Sequence, residues 1–448
     1  MKKILLLGIG MCIAAIGNAA TITVTNTNDN GAGSLRQALL DADNGDTINF
    51  SVTGVINSTS FLPISKDLTI IGPGADILRI DGGGTDRIFF DDVYAMNTVS
   101  ISGLELTNGY TTSYGSAIFG RGFNLTINNC EIHNCNLGGS NGTLAVFSIT
   151  TNGLASMTIN NCAIYDNTGG CHAIGIYATD GADIYITNST LYNNVGGSGC
   201  GGPQGAAIWS NGGEVELTNV TIAGHNTGGS VIYLQDFEDF VDPTQNDICS
   251  FISTNCIYDN SIPNFSYFST LGGTTVSQES NISNDNSMSS FLVATNDLNS
   301  TSAQLDPSGL SDNGGTTSTI ALTSASPAIN SANPTFAPGT DQRGNSRNGI
   351  PDIGAFEFNG TTLGIMENSF GNRLLVYPNP TSGDFSINLG TTYENAKIVI
   401  TDISGKMIES NTMTQSQILN LSIKEPAGIY FVSIQSGDKK AVVKIIKQ

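Results

Sequence analysis

The chain has 448 residues, 39% of them hydrophobic and only 12% charged, with a net charge of −21. That is apolar material enough for a core and length enough for two or three domains or one long repeat array, and it excludes a disordered chain. Between residues 21 and 360, seven Lys and Arg stand against 31 Asp and Glu, so no basic face exists to neutralise phosphates and nucleic-acid binding is excluded.

The first twenty residues read as a secretory signal peptide: Lys2-Lys3, an apolar run from Ile4 to Ile16, then small residues through Ala20, with cleavage after Ala19 or Ala20. The run is shorter than the roughly 20 apolar residues of a membrane-spanning helix, and no later stretch approaches that length, so no transmembrane segment is expected in the mature chain. Cys12 leaves with the signal. Next, Ser34 and Gln37 have the spacing of a capping box, and Leu35, Ala38, Leu39 and Ala42 share one face of a two-turn helix. This helix is expected to plug the amino-terminal end of the repeat array downstream of it.

One phrase then recurs: LTINNCEIHN from Leu125, MTINNCAIYDN from Met157, IYITNSTLYNN from Ile184, VELTNVTIAG from Val215, FISTNCIYDN from Phe251, and a looser VSISGLELTNG from Val99. Starts separated by 26 to 36 residues are the mark of a solenoid. Period-two alternation makes each copy two short strands meeting at a turn. Asn129, Asn161, Asn188, Asn219 and Asn255 occupy one aligned turn position, where Asn tolerates left-handed backbone and its amide can bond from coil to coil, an asparagine ladder. Small Cys130, Cys162, Ser189, Val220 and Cys256 follow, then large Ile132, Ile164, Leu191, Ile222 and Ile257, the pattern of an inward stack. A third strand precedes each pair in AIFGRG (Ala117), AIGIYA (Ala173), AAIWSN (Ala206) and SVIYLQ (Ser230).

These residues resemble the right-handed β-helix repeat family, including the polymorphic outer-membrane and pectate-lyase-like groups. The resemblance implies an all-β fold: a right-handed parallel β-helix, three strands per coil, over residues 21–360, with a capping helix at its start. It implies shape far more than chemistry. Downstream, LSDNGGTTSTIALTSASPAINSA from Leu310 and DQRGNSRNGIPDIGAFEF from Asp341 resemble the closing segment of bacterial surface proteins called choice-of-anchor Q. That segment is expected to cover the far end of the solenoid, whose strand edges need protection.

Seven cysteines remain after the signal: Cys130, Cys135, Cys162, Cys171, Cys200, Cys249 and Cys256. Their odd number and the lack of any tetrahedral metal spacing point to buried small hydrophobes.

After a linker at 361–373, residues 374–448 change composition and alternate through Gly-containing turns, the pattern of a small antiparallel β-sandwich. Tyr377-Pro378-Asn379-Pro380, Ile403-Ser404-Gly405, Gly428-Ile429-Tyr430 and the Lys-rich last strand resemble the sorting domain of the bacterial type IX secretion system. The resemblance implies a partner, the type IX machinery, and a location outside the cell or on its outer surface.

Candidate functional residues fall in three groups. With their aliphatic neighbours turned inward, Phe119, Tyr177, Trp209 and Tyr233 form one outward stripe, and His133, Tyr165, Tyr192 and Tyr258 another; coils about 4.8 Å apart would make such rows platforms for sugar rings. The other reading is that the stripes are packed or covered. Asp236, Glu238, Asp239, Asp242 and Asp247 crowd one loop and could hold Ca²⁺, or form a solvated acidic loop. Arg121 and Asp180, on one side near Trp209, are the candidates for lyase or hydrolase chemistry. The sequence therefore supports a non-catalytic glycan-binding or adhesin-like module, with a polysaccharide lyase or glycoside hydrolase and a passive structural surface component as alternatives.

Overall fold

The structure, a computed structural model, describes residues 19–91, 96–138, 141–147, 155–169, 174–196, 205–236, 247–347, 349–362, 365–368, 370, 374–379, 381–403 and 405–447. Most of the stretch expected to be a signal peptide, Cys171, Cys200 and the acidic Glu238, Asp239 and Asp242 lie outside the described residues.

Three long parallel sheets of ten, nine and eight strands make a parallel β-helix. A representative coil runs Ile118–Arg121 in the third sheet, Asn124–Asn128 in the first and Glu131–His133 in the second. The repeated phrase sets the register: Leu125, Met157, Ile184, Val215 and Phe251 lie side by side in the first sheet. Their side chains are buried, and the alternate residues face out, as a period of two requires.

The solenoid is longer than its readable copies. Thr21–Val24, Asp46–Phe50 and Leu68–Ile71 open the first sheet, and Thr275–Ser277 ends it. Leu144–Phe147 adds a third-sheet strand in which Ala145 stands where other coils carry an aromatic. The opening coils lack the Asn signature, and in the looser copy from Val99 it is Gly103, with φ +62°, that makes the turn Asn129 makes one coil later.

Asn129, Asn161, Asn188, Asn219 and Asn255 do adopt left-handed backbone, φ 48° to 56°. The ladder expected along them is a correction. Asn255 donates to Asn219 Oδ1 at 3.2 Å, but Asn188 and Asn219 donate to main-chain oxygens of Thr340, Asp352 and Gly354 in the closing segment. A continuous buried ladder lies instead at the turn after the second sheet, through Asn167, Asn194, His225, Asn260 and Asn264, with contacts of 2.9 to 3.4 Å. Burial pushes the His225 imidazole down to about 4, so it serves there as a neutral donor and acceptor.

The inward stack of Cys130, Cys162 and Ser189 is linked by Cys130 N–H donating to Cys162 Sγ and Cys162 N–H to Ser189 Oγ. Five described cysteines, Cys130, Cys135, Cys162, Cys249 and Cys256, are free and buried. In the large-residue stack the last coil slips by one: Tyr258, not Ile257, pairs with Ile222. One residue of slip exchanges the two faces of a strand, so Tyr258 points into the core and Ile257 packs outward.

The amino-terminal helix, Leu35–Asp41, is capped by Ser34, whose hydroxyl accepts from Gln37 N–H. Gln37 reaches Asp41 rather than back to Ser34, so half of the capping box forms. Leu35 and Leu39 enter the solenoid core at one end, and Met288, Phe291 and Leu292 enter it at the other. The closing segment is therefore no end cap. It runs along the flank as a strap, with Ser318 N–H on Glu131, Gln342 on Thr190, Arg347 on Asn188, Ala355 N–H on Thr221 and Asn333 on Asn255.

The carboxy-terminal module is a six-stranded antiparallel curled sheet around its own core. The strand Asp384–Asp402 pairs with Met407–Ser422 along its length. Along its other edge it meets Leu375–Tyr377 near its start and Gly428–Ser436 near its end. Asn379 fixes the module's first turn, donating to Lys444 O and accepting from Ile446 N–H.

Candidate functional site

The first aromatic stripe is real but closed. Phe90, Phe119, Ala145, Tyr177, Trp209 and Tyr233 follow one another on the outer side of the third sheet. Ring centroids lie 5.5 Å apart for Phe90–Phe119, 4.6 Å for Tyr177–Trp209 and 6.4 Å for Trp209–Tyr233. Tyr114 fills the gap over Ala145, stacking on Phe119 and Tyr177. Phe119, Tyr177, Trp209 and Tyr233 are only 3%, 8%, 5% and 7% exposed. The row is thus a packed spine rather than an open platform, because one intercalated tyrosine makes it continuous and the surrounding chain covers it.

Two arginines lie on this spine. The Arg87 guanidinium sits 4.9 Å from the Phe90 ring and 5.8 Å from Phe119, and that of Arg121 sits 5.7 Å from Phe119. Asp180, on a left-handed turn, lies close enough to Arg121 for the two charges to interact. Burial pushes its carboxyl up, and Thr179 and Arg121 oppose that shift. Arg121 and Asp180 therefore come together. Trp209 lies one register step from Tyr177, in the coil next to that of Asp180, and three register steps from Phe119.

The second stripe divides. His133 and Tyr165 stack at 4.7 Å on the outside of the second sheet. Glu105 receives His133 Nε2 at 2.8 Å and Arg79 at 2.7 Å, and Glu131 receives the Tyr165 hydroxyl at 3.0 Å. Burial raises the Glu105 carboxyl, but the bonds from His133 and Arg79 win and hold it below its usual range. Tyr192 stays half-buried and lies next to Gly309. Tyr258 is wholly buried, its hydroxyl 2.7 Å from Ser253, so it cannot offer a face to a ligand.

Asp236 is occupied structurally. It accepts from the N–H groups of Cys249, Thr270 and Leu271 and the hydroxyls of Tyr267 and Ser269, at 2.7 to 3.1 Å. Burial raises this carboxyl, yet those donors hold it below its ordinary value. It pins a turn and has no oxygen turned out for a cation. Among the described residues no three His, Cys, Asp or Glu side chains are grouped as metal ligands.

The outer side of the first sheet went unread in the sequence as a site. Its central column is Thr21, Thr47, Thr69, Ser100, Thr126 and Thr158, then Tyr185 and Glu216. The signal was the second position of LTIN and MTIN, an outward threonine in copy after copy. Toward the far end the face turns acidic with Asp183, Glu214 and Glu216. Burial raises Asp183 and Glu216, with the Glu214 charge adding to the shift of Glu216. A cavity of about 430 Å³ separates one edge of this sheet from the closing segment and the module's residues Leu375 to Asn379; there the Tyr377 hydroxyl meets Pro73 O.

Residues 375–448 match the family described as the secretion system C-terminal sorting domain. No curated protein matches the chain. Among solved structures, a mutant of the PL6 family alginate lyase AlyGC is similar at 18% identity and a TM-score of 0.36, over 58% of this chain and 40% of that one. The chain thus spans two fifths of that protein's length, and the β-helix assignment rests on the register of its own sheets. No helix among the described residues is long and apolar enough to cross a membrane. The type IX sorting domain at its carboxy terminus marks the chain for export to the cell surface or the extracellular space.

Proposed function

We propose that this exported β-helix is a non-catalytic module that binds extracellular carbohydrate, an adhesin-like role. The observation that supports it is the unequal treatment of the three long faces. The second sheet carries the strap across the coils from Glu131 to Asn255, and the aromatic row on the third is buried. The first sheet keeps its outward residues half-exposed along most of its strands. A rigid, polar, open face many coils long suits a partner that is itself extended and polar. The test is to incubate the purified chain with neutral and acidic polysaccharides, following new reducing ends, unsaturated-product absorbance and retention on the immobilised polymers. Retention without turnover is the expected result; turnover in either channel would overturn it.

A second reading, a polysaccharide lyase or glycoside hydrolase, has one observation in its favour: Arg121 beside a carboxyl, Asp180, that burial holds above its usual range. On that reading the same assay shows turnover that Asp180→Asn abolishes.

A further inference from the structure

The reading of the chain as a carbohydrate-binding module leaves open which polymer and which residues, and the first sheet carries an answer that rests on that reading. Six successive coils place a hydroxyl at one register position: Thr21, Thr47, Thr69, Ser100, Thr126 and Thr158. Among the described residues none of these six hydroxyls is engaged by another protein group. Threonines paired across strands commonly bond to one another or to the backbone, so an unengaged column is a set of donors and acceptors turned to solvent, one about every 4.8 Å. None of the six lines the cavity beside the sorting module.

Beside Ser100, Thr126 and Thr158 the neighbouring outward columns are uncharged, with Thr98, Asn124 and Ser156 on one side and Ser102, Asn128 and Asn160 on the other; one coil earlier they hold Asp67, which accepts from Thr98 N–H, and Ile71. Asn160 donates to Asn128 and Ser156 to Asn124, which stiffens both flanks and leaves the central column between them. Beyond Thr158 the next residue in register is Tyr185, half-buried on the outside of the sheet. It offers a ring face at that end. Its hydroxyl donates to Asp183 of the same strand at 3.3 Å, and Glu214 and Glu216 follow one coil on.

We infer that Ser100, Thr126, Thr158 and Tyr185 form a binding track for an uncharged, hydroxyl-rich polysaccharide lying along the solenoid axis. A sugar hydroxyl donates and accepts, as each Thr and Ser does, so the match needs no charge on either side. A polyanion is disfavoured twice over: seven basic residues stand against 31 acidic ones in residues 21–360, and the track has no cation to offset the repulsion.

The test uses the full chain and two immobilised polymers, an insoluble neutral β-glucan and alginate. Wild type is retained on the glucan and not on alginate. The double variant Thr126→Val/Thr158→Val keeps shape and strand preference while deleting two hydroxyls, and it binds about tenfold more weakly. Tyr185→Thr loses a comparable factor with an unchanged melting temperature, whereas Tyr114→Phe in the third-sheet spine leaves retention unchanged. Retention on the glucan that neither track variant alters overturns the track and leaves the carbohydrate-binding reading standing. Preference for alginate overturns the neutral polymer, and no retention on any polymer overturns both readings.

Discussion

Arg347 is where the strap can be tested most sharply. Its side chain is 1% exposed. It donates to Asp352 O at 3.0 Å, Gly354 O at 2.8 Å and Asn188 Oδ1 at 2.9 Å, and pairs with Glu357 at 3.3 Å. Three of those acceptors belong to the strap and one, Asn188, to the solenoid turn it crosses. In Arg347→Ala the Glu357 carboxylate keeps the Asp352 N–H but loses its counter-charge inside the protein, and two carbonyls and an amide oxygen lose donors. Breaking a buried pair in this way costs about 3 to 5 kcal/mol, a large share of the roughly 5 to 15 kcal/mol that holds a domain together. The expected outcome is a lower unfolding midpoint in denaturant and rapid proteolytic nicking of residues 310–358 while the coils persist. Replacing both partners, Arg347→Met with Glu357→Gln, leaves no buried unpaired charge and should cost less than Arg347→Ala alone. A loss below about 1 kcal/mol for Arg347→Ala, outside the 3 to 5 kcal/mol range, would refute the argument that the strap is latched there. So would a double variant worse than the single one.

The His225 imidazole, held at about 4 against 6.5 when unfolded, should make stability pH-dependent. Because the folded value is depressed, its contribution is complete above about pH 6.5 and declines as pH falls toward 4. The unfolded chain takes up a proton that the ladder excludes, worth roughly 3 kcal/mol at 1.36 kcal/mol per unit. His225→Asn restores an amide to the ladder and should flatten the unfolding midpoint between pH 6.5 and 4. Asp236→Asn should cost about 2 kcal/mol, because an amide donor would face the N–H groups of Thr270 and Leu271; denaturant unfolding measures it. Tyr114→Ala reopens the gap over Ala145 and removes two ring stacks. It should cost about 1 to 3 kcal/mol at 0.5 to 1.5 per stack, read as a lower melting temperature.

The coils were legible because backbone geometry repeats in one dimension. An Asn that must hold φ near +50° recurs whenever that turn recurs, and a small residue must follow wherever the coil interior narrows. Where glycine met the same turn, as at Gly103, the phrase lost its marker and the copy from Val99 read as a looser one although the backbone is alike. Tyr258 was misplaced for a related reason. The copy FISTNCIYDN has one residue fewer between its strands than LTINNCEIHN, measured from the shared small residue to the aromatic, and alignment by chemical likeness set Tyr258 beside Tyr192 when the sheet set it beside Ile222.

What stayed hidden was everything decided between coils and distant segments. Asn188 and Asn219 were recognised as turn residues, yet their amides bond Thr340, Asp352 and Gly354, more than 130 positions away, and no local spacing encodes such partners. The aromatic spine shows the same limit from the other side. Alternation placed Phe119, Tyr177, Trp209 and Tyr233 on the outer face correctly, but whether an outer face meets solvent depends on what else folds over it, here in part Tyr114. The central column of the first sheet is the converse case. Its threonines read as ordinary strand formers, because β-branched residues suit a strand whatever lies above them. Only the register shows six hydroxyls in one line with no protein partner. A site built from repetition is thus readable in each copy and recognisable only when the copies are stacked.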